Sequence, residues 1–337
     1  ATLEIGKANF VPTAAVTQLA GSIERWNQED ARGTTYNLPA GVNLQLNTNL
    51  QSARTIGLNG GTIEGFIYAD HVAQTALRTV GSAVTLNLLS DSYVGQGNAI
   101  GGQNYDAGRL PTVGQPFGDT YTGSPLMING AITGAFNLTK TGLDTVTIAG
   151  TSNTYRNTVV DMGTLRIGAD NALPVAGVLT PRLGGIVDLY GSTQSVAGLG
   201  YATAGPNPGG VSLGSAGRVT NSGTVDKVLN VNSRTDYIYN GTIELNVALT
   251  KSGVGKQVMG GTNTYRGPTT VSAGTLLING DNSGANGAIN VASGATLGGS
   301  GILGGALTVA YCAELPVNSR RRGAWPSSPA MTAAVMA

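Results

Sequence analysis

A catalytic site in this chain would have to be assembled from very few parts. The 337 residues contain one histidine, one cysteine, twelve Asp and six Glu. His71 follows Asp70 and has the chemistry of a general base, since imidazole titrates near neutral pH. No cysteine or evident serine partner accompanies it, and a solitary histidine marks an ordinary surface position. Cys312 lies far along the chain in a stretch of different character, so a Cys–His nucleophile pair is not expected. Sugar cleavage would need clustered carboxylates, or carboxylates holding calcium beside a base. The densest acidic set is Glu24, Glu29 and Asp30, interleaved with Arg25 and Arg32. Its alternating signs read as ion pairs on a solvated face.

Metal and cofactor chemistry have no better footing. One His and one Cys are too few for the usual zinc sets. Glycine strings such as Asn59-Gly60-Gly61 lack the following Lys of a phosphate loop. Gly-Asp pairs at 118–119 and 280–281 occur without the nine-residue calcium repeat. We therefore expect no catalytic residue, no bound metal and no cofactor. Charge argues against nucleic acid as well. The chain holds 19 basic and 18 acidic residues. Without Arg320, Arg321, Arg322 and Glu314 of the tail, residues 1–309 hold 16 basic against 17 acidic, which is no footprint for a polyanion.

The residues that recur at fixed spacing are of another kind. Leu138-Thr-Lys-Thr-Gly142, Ser152-Asn-Thr-Tyr-Arg156 and Gly163-Thr-Leu-Arg-Ile-Gly168 form one block. Leu249-Thr-Lys-Ser-Gly253, Thr262-Asn-Thr-Tyr-Arg266 and Gly274-Thr-Leu-Leu-Ile-Asn279 form another. The outer motifs are offset by 111 positions and the middle one by 110, a slip that a corner absorbs. Within each block apolar residues fall at every second position, as in Thr145-Val-Thr-Ile148 and Thr164-Leu-Arg-Ile167. This is the period of a strand with one buried face. A repeat of this size cannot bury its apolar face alone and must stack on its neighbour. Val146, Ile148, Leu165, Ile167, Leu276 and Ile278 are the expected inward residues. Tyr155-Arg156 and Tyr265-Arg266 have types favoured at interfaces. They are candidates for a repeated surface device, against the simpler reading that each Tyr caps a corner.

Composition supports a strand array. Glycine numbers 52 and proline 13, and charged residues make up 11%, well under the usual quarter. Hydrophobic residues make up 41% in an alternating pattern, enough for a packed core. No apolar run reaches eighteen residues, so no transmembrane helix is expected. With a single cysteine no internal disulfide can form. The chain starts at Ala1 and displays no signal peptide, as a mature product does after signal removal and as a trimmed chain would too.

Three regions follow. Residues 1–36 are an N-terminal cap or arm. There Ala15, Leu19, Ile23 and Trp26 fall on one helix face, with Thr13 as N-cap. A short capping helix over 13–30 is one reading and an irregular arm the other. Residues 37–309 form the solenoid, with a loop projecting at about 95–125 that carries Pro111, Pro116 and Pro125. Residues 310–337 abandon the pattern and read as a disordered, added or docking tail.

The Leu-Thr-Lys-(Ser/Thr)-Gly, Asn-Thr-Tyr and Gly-Thr-Leu motifs closely resemble the autotransporter-associated β-strand repeat of bacterial surface proteins. Asp188-Leu-Tyr-Gly-Ser-Thr-Gln-Ser-Val-Ala-Gly-Leu199 is similar to the sequence between such repeats. The specific likeness covers 138–168 and 249–279, and a weaker one about 37–309. It implies an all-β, right-handed parallel β-helix on the bacterial cell surface or outside the cell, structural or adhesive, and implies no chemistry. The chain departs from a complete autotransporter in showing no series of barrel strands. The expected function is a building block of a surface fibre, stalk or layer. Its expected partners are copies of itself joined end to end through Thr2, Leu3, Ile5, Leu307 and Val309, and surface glycans or a neighbouring cell. The alternative is a carbohydrate-binding or carbohydrate-cleaving β-helix that uses the 95–125 loop.

Overall fold

A computed structural model describes residues 2–5, 18–20, 22–26, 28, 34–65, 77–95, 125–182, 184–202 and 217–310. Among them there is no helix, and every regular element is a strand of two to six residues. The strands stack as a parallel β-solenoid. One sheet has nine strands. It begins Thr2–Ile5, Ile23–Trp26, Asn43–Leu46, Thr62–Gly65, and continues through Leu138–Lys140 and Thr158–Val160 to Gly198–Leu199. A second, of eight strands, runs from Arg78–Val80 to Thr264–Tyr265. Towards the C-terminal end a six-stranded sheet takes over, from Gln194–Val196 through Val247–Ser252 to Leu307–Val309. All pairings are parallel except that of Tyr201–Ala202 with Tyr237–Tyr239.

Register follows from the two-residue period. Val146, Leu165, Val187, Val219 and Ile243 stand opposite one another on successive turns, and each is fully buried. Slipping any of these strands by one residue would turn its apolar set to solvent. The six residues expected to point inward are all buried. A turn takes about twenty residues, as in Leu138 opposite Thr158 and Leu229 opposite Leu249.

The N-terminal expectation is corrected. Ile23–Trp26 is a strand, paired in parallel with Thr2–Ile5 and with Asn43–Leu46. The four-four-three spacing of Ala15, Leu19, Ile23 and Trp26 is therefore not a helix face, and Leu19 is 76% exposed. Glu24 and Trp26 lie in register with the buried Leu44 and Leu46, a two-residue period in which one inward position is filled by a carboxylate. The solenoid thus includes strands well before residue 37. Thr13 and Ala15, the loop at 96–124 and the tail at 311–337 lie outside the described residues, as do Asp70, His71, Glu29, Asp30, Arg32 and Cys312.

Candidate functional site

The repeat signature can be followed residue by residue. In each copy the Lys stands two positions after an inward Leu, so the strand aims its side chain into the stack. Lys140 and Lys251 are buried. The Lys140 ammonium donates to the carbonyls of Thr141 (2.6 Å), Gly142 (2.9 Å) and Met162 (3.2 Å), and to Asp144 Oδ1 (2.9 Å). The Lys251 ammonium donates to Ser252 O (2.7 Å), Gly253 O (2.8 Å) and Ala273 O (3.2 Å). Met162 and Ala273 belong to the next turn, so each lysine ties a corner to the rung above it. Burial pulls both amines below the ordinary lysine range. For Lys140 the Asp144 carboxylate opposes the shift, and Lys251 falls to about 8, with only Asp236 opposing.

The glycines around each lysine have one reason. Gly142 and Gly253 take positive φ, as do Gly163 and Gly274 one turn on. A Cβ on Gly163 would clash with the Gly142 carbonyl oxygen, and one on Gly274 with that of Gly253. Only glycine lets the two corners stack at this separation.

Asparagine clips three rungs together. Asn153 Oδ1 accepts from Ile132 N (2.6 Å), and its Nδ2 donates to Gly150 O (2.7 Å) and Ala172 O (2.6 Å). Asn263 repeats this with Ile243 N (2.8 Å), Gly261 O (3.1 Å) and Asn282 Oδ1 (2.8 Å). The tyrosines are interior too. Tyr155 and Tyr265 are each 2% exposed, and their hydroxyls meet Thr158 Oγ1 (2.8 Å) and Thr269 Oγ1 (2.7 Å). Burial pushes both phenols above their ordinary range. Of the two readings of the Tyr-Arg pairs, the tyrosines follow the simpler one and are built into the rung, and only Arg156 and Arg266 of the surface-device candidates are exposed.

Of the acidic and basic set at the N-terminal end, the two described members, Glu24 and Arg25, do not lie on a solvated helix face. Glu24 and Arg25 are buried on opposite faces of one strand. Glu24 accepts from Trp26 Nε1 (2.8 Å) and the Tyr36 hydroxyl (2.9 Å). Arg25 donates to Gln45 Oε1 through Nε (3.0 Å) and Nη2 (2.7 Å), and Gln45 donates on to Glu64 (2.7 Å). Arg25, Gln45 and Glu64 hold one register position on successive rungs, forming a polar ladder. Among the described residues no group of three or more His, Cys, Asp or Glu is placed to hold a metal ion.

The expected assembly residues sit at the two ends of the sheets. Thr2–Ile5 opens the nine-stranded sheet, with Leu3 half-buried and paired to Glu24. It is therefore a rung of its own chain. Leu307 and Val309 are 40% and 38% exposed on the last strand of the six-stranded sheet. Lys140, Lys251, Asn153 and Asn263 stand in the repeat motifs with no role visible in the sequence alone. The available signal was parity: a Lys at an inward position must find acceptors inside.

This architecture is a solenoid whose repeat-defining polar residues act as clips between rungs. The Passenger-associated-transport-repeat family matches at residues 138–167 and 249–278, the segments that carry these clips. The chain therefore carries autotransporter passenger repeats. It is 44% identical over 72 residues to the adhesin BmaC autotransporter of Brucella suis biovar 1 (strain 1330), covering 21% of this chain and 2% of that protein. It is 34% identical over 116 residues to the serine protease pet autotransporter of Escherichia coli O44:H18 (strain 042 / EAEC), covering 33% of this chain and 8% of that one. The chain thus spans a small fraction of either relative. No solved structure matches it.

Proposed function

We propose that this chain is the shaft of a secreted or cell-surface passenger: a non-enzymatic β-solenoid that holds adhesive surface away from the cell. The observation that carries this reading is the fate of the repeat signature. Lys, Asn, Tyr and Gly of both copies are committed to joining rungs, and their polar atoms are occupied inside the stack. A repeat selected for chemistry would aim such groups outward. The adhesin relative supports the adhesive part. The relative named as a protease matches over 8% of its own length, too little to bring a catalytic apparatus with it.

The exposed apolar strand Leu307–Val309 favours joining of copies end to end, because a terminal strand offers unpaired backbone groups to another chain. Such a contact is heterologous and propagates. The purified chain should attach to cell surfaces when coupled to beads, and electron microscopy should show rods joined at their ends. Replacing Leu307 and Val309 by Lys should leave separate rods that still attach. Beads that do not attach would overturn the adhesive reading. Rods of the intact chain that stay separate at high concentration would remove end-to-end assembly and leave a solitary stalk. Turnover of pectin or alginate by the purified chain would favour the carbohydrate-cleaving alternative.

A further inference from the structure

The two repeats are built alike inside and differ in the outward-facing register column, where one difference places a half-exposed arginine beside buried polar residues. Thr147, Arg166, Asp188 and Thr220 occupy one outward register column on four successive rungs. In the second repeat, 111 positions on, Thr147 is replaced by Val258 and Arg166 by Leu277, and the next residue of that column is Gly298. The scaffold therefore does not require an arginine at this place.

Next to Arg166 the chain makes an unusual corner. The Ser192 amide donates to Leu189 O at 2.8 Å, with φ of 47° at Tyr190 and 81° at Gly191. That is a type I′ turn, whose first central position ordinarily takes Asn, Asp or Gly. A tyrosine there is strained, and it leaves the residue 52% exposed. The Arg166 guanidinium lies 4.2 Å from the centre of the Tyr190 ring. Its nearest acidic atom is Asp188 Oδ2, 3.5 Å from Nε, beyond good hydrogen-bonding distance. Arg166 has no other polar partner in the described structure, and its Nε is buried without a hydrogen bond. Asp188 is buried and holds the corner in place. It accepts from Tyr190 N (2.9 Å), Ser222 N (2.9 Å) and Ser222 Oγ (2.8 Å).

From this we infer that Arg166 and Tyr190 form a binding site for a neutral hexopyranose unit of a surface glycan. An exposed aromatic ring suits the apolar C–H face of a pyranose, and a guanidinium fork with unused donors suits its hydroxyl oxygens. Asp188 beside Arg166 cancels the local charge, so the site offers directed donors without a net pull on anions. This rests on the adhesive reading above and names the ligand class of that surface.

The test uses saturation-transfer NMR on the intact chain with gluco-, galacto- and manno-oligosaccharides. At least one series should receive magnetisation, and Arg166→Leu and Tyr190→Gly should each weaken that binding tenfold or more. Arg166→Leu installs the residue the second repeat already carries, and Tyr190→Gly removes the strain at positive φ. Asp188 keeps its three hydrogen bonds to Tyr190 and Ser222 in Arg166→Leu, and the thermal midpoint of each variant, read by circular dichroism, separates loss of binding from loss of fold. The inference is overturned if no neutral oligosaccharide binds, if binding survives both substitutions, or if only polygalacturonate binds and salt releases it. Beads carrying the two variants that attach to cells as well as the intact chain would also overturn it, while leaving the adhesive reading intact. Failure of the intact chain to attach at all would strike that reading instead.

Discussion

Replacing the repeat lysine by methionine should harm the first copy more than the second. Methionine keeps the stem's length and apolar character and removes the ammonium. At position 140 the change takes the cation from a carboxylate whose side chain is 1% exposed, Asp144, held at 2.9 Å. Stripping one partner from a buried pair costs about 3–5 kcal/mol. At position 251 the ammonium serves only the three carbonyls of Ser252, Gly253 and Ala273. Losing bonds to a charged donor costs about 1.5–3 kcal/mol each, but the relieved desolvation of the amine offsets much of this. The net loss should be about 1–3 kcal/mol. A repeat array responds locally, so the assay is hydrogen exchange at rung amides. Asp161 N, which bonds Lys140 O, reports the first corner, and Ser272 N, which bonds Lys251 O, reports the second. Lys140→Met should lower protection at Asp161 by about 2 kcal/mol more than Lys251→Met lowers it at Ser272. Adding Asp144→Leu to Lys140→Met should recover a large part of the loss. Equal effects at both corners, or no recovery in the double variant, would refute the assignment of Asp144 as the source of the difference.

Lys251 also sets a pH dependence. Its folded-state pKa near 8 lies below the roughly 10.4 of an unfolded lysine. Between these values the unfolded chain binds more protons, so local stability rises with pH from about 8 to about 10 and is flat below. Exchange protection at Ser272, corrected for intrinsic rate, should increase over that window, and the trend should vanish in Lys251→Met. Leu165 is fully buried between Val146 and Val187. Leu165→Asp should therefore cost about 3–5 kcal/mol, and an unchanged thermal midpoint by circular dichroism would show that residue 165 does not face the core.

Most of the fold was legible because a solenoid writes its register into local pattern. Apolar residues at every second position, glycine at each corner and a repeat offset of 111 were enough to place Val146, Leu165 and Leu276 inside. What misled was polar residues at inward positions. Glu24 breaks the alternation of Ile23–Trp26, and a carboxylate beside arginine looks solvated when its partners, Trp26 and Tyr36, are not yet known to face it. The apolar positions left over then matched a helical spacing by chance. The tyrosines left two readings open for a related reason. Tyr155 next to Arg156 suggests an interface, but its hydroxyl finds Thr158 only once the corner is folded. Non-local hydrogen bonds decide whether a polar side chain can be buried, and single-sequence patterns do not contain them.

The comparison between the two copies separates scaffold from surface more sharply than either copy alone. Inward and corner positions keep a common plan: Lys140 and Lys251 donate to matching corner carbonyls, Asn153 and Asn263 accept from matching amides, and Tyr155 and Tyr265 each meet a threonine hydroxyl, although only Lys140 also holds a carboxylate. Outward positions carry no such constraint, because a strand's outer side chains leave the backbone ladder untouched. Thr147 against Val258 and Arg166 against Leu277 therefore differ at no cost to stacking. The first repeat supplies the Arg166 guanidinium to this column, and the rung that follows the repeat adds the buried Asp188 carboxylate and the strained, half-exposed Tyr190 ring. The second has an apolar column of Ile238, Val258 and Leu277. In such a chain a departure from the repeat at an inward position must be matched inside the stack, as Glu24 is by Trp26 and Tyr36, whereas a departure at an outward position is free to serve another use. The Arg166–Tyr190 corner is of the second kind, and it is where binding should be lost first when the surface is altered.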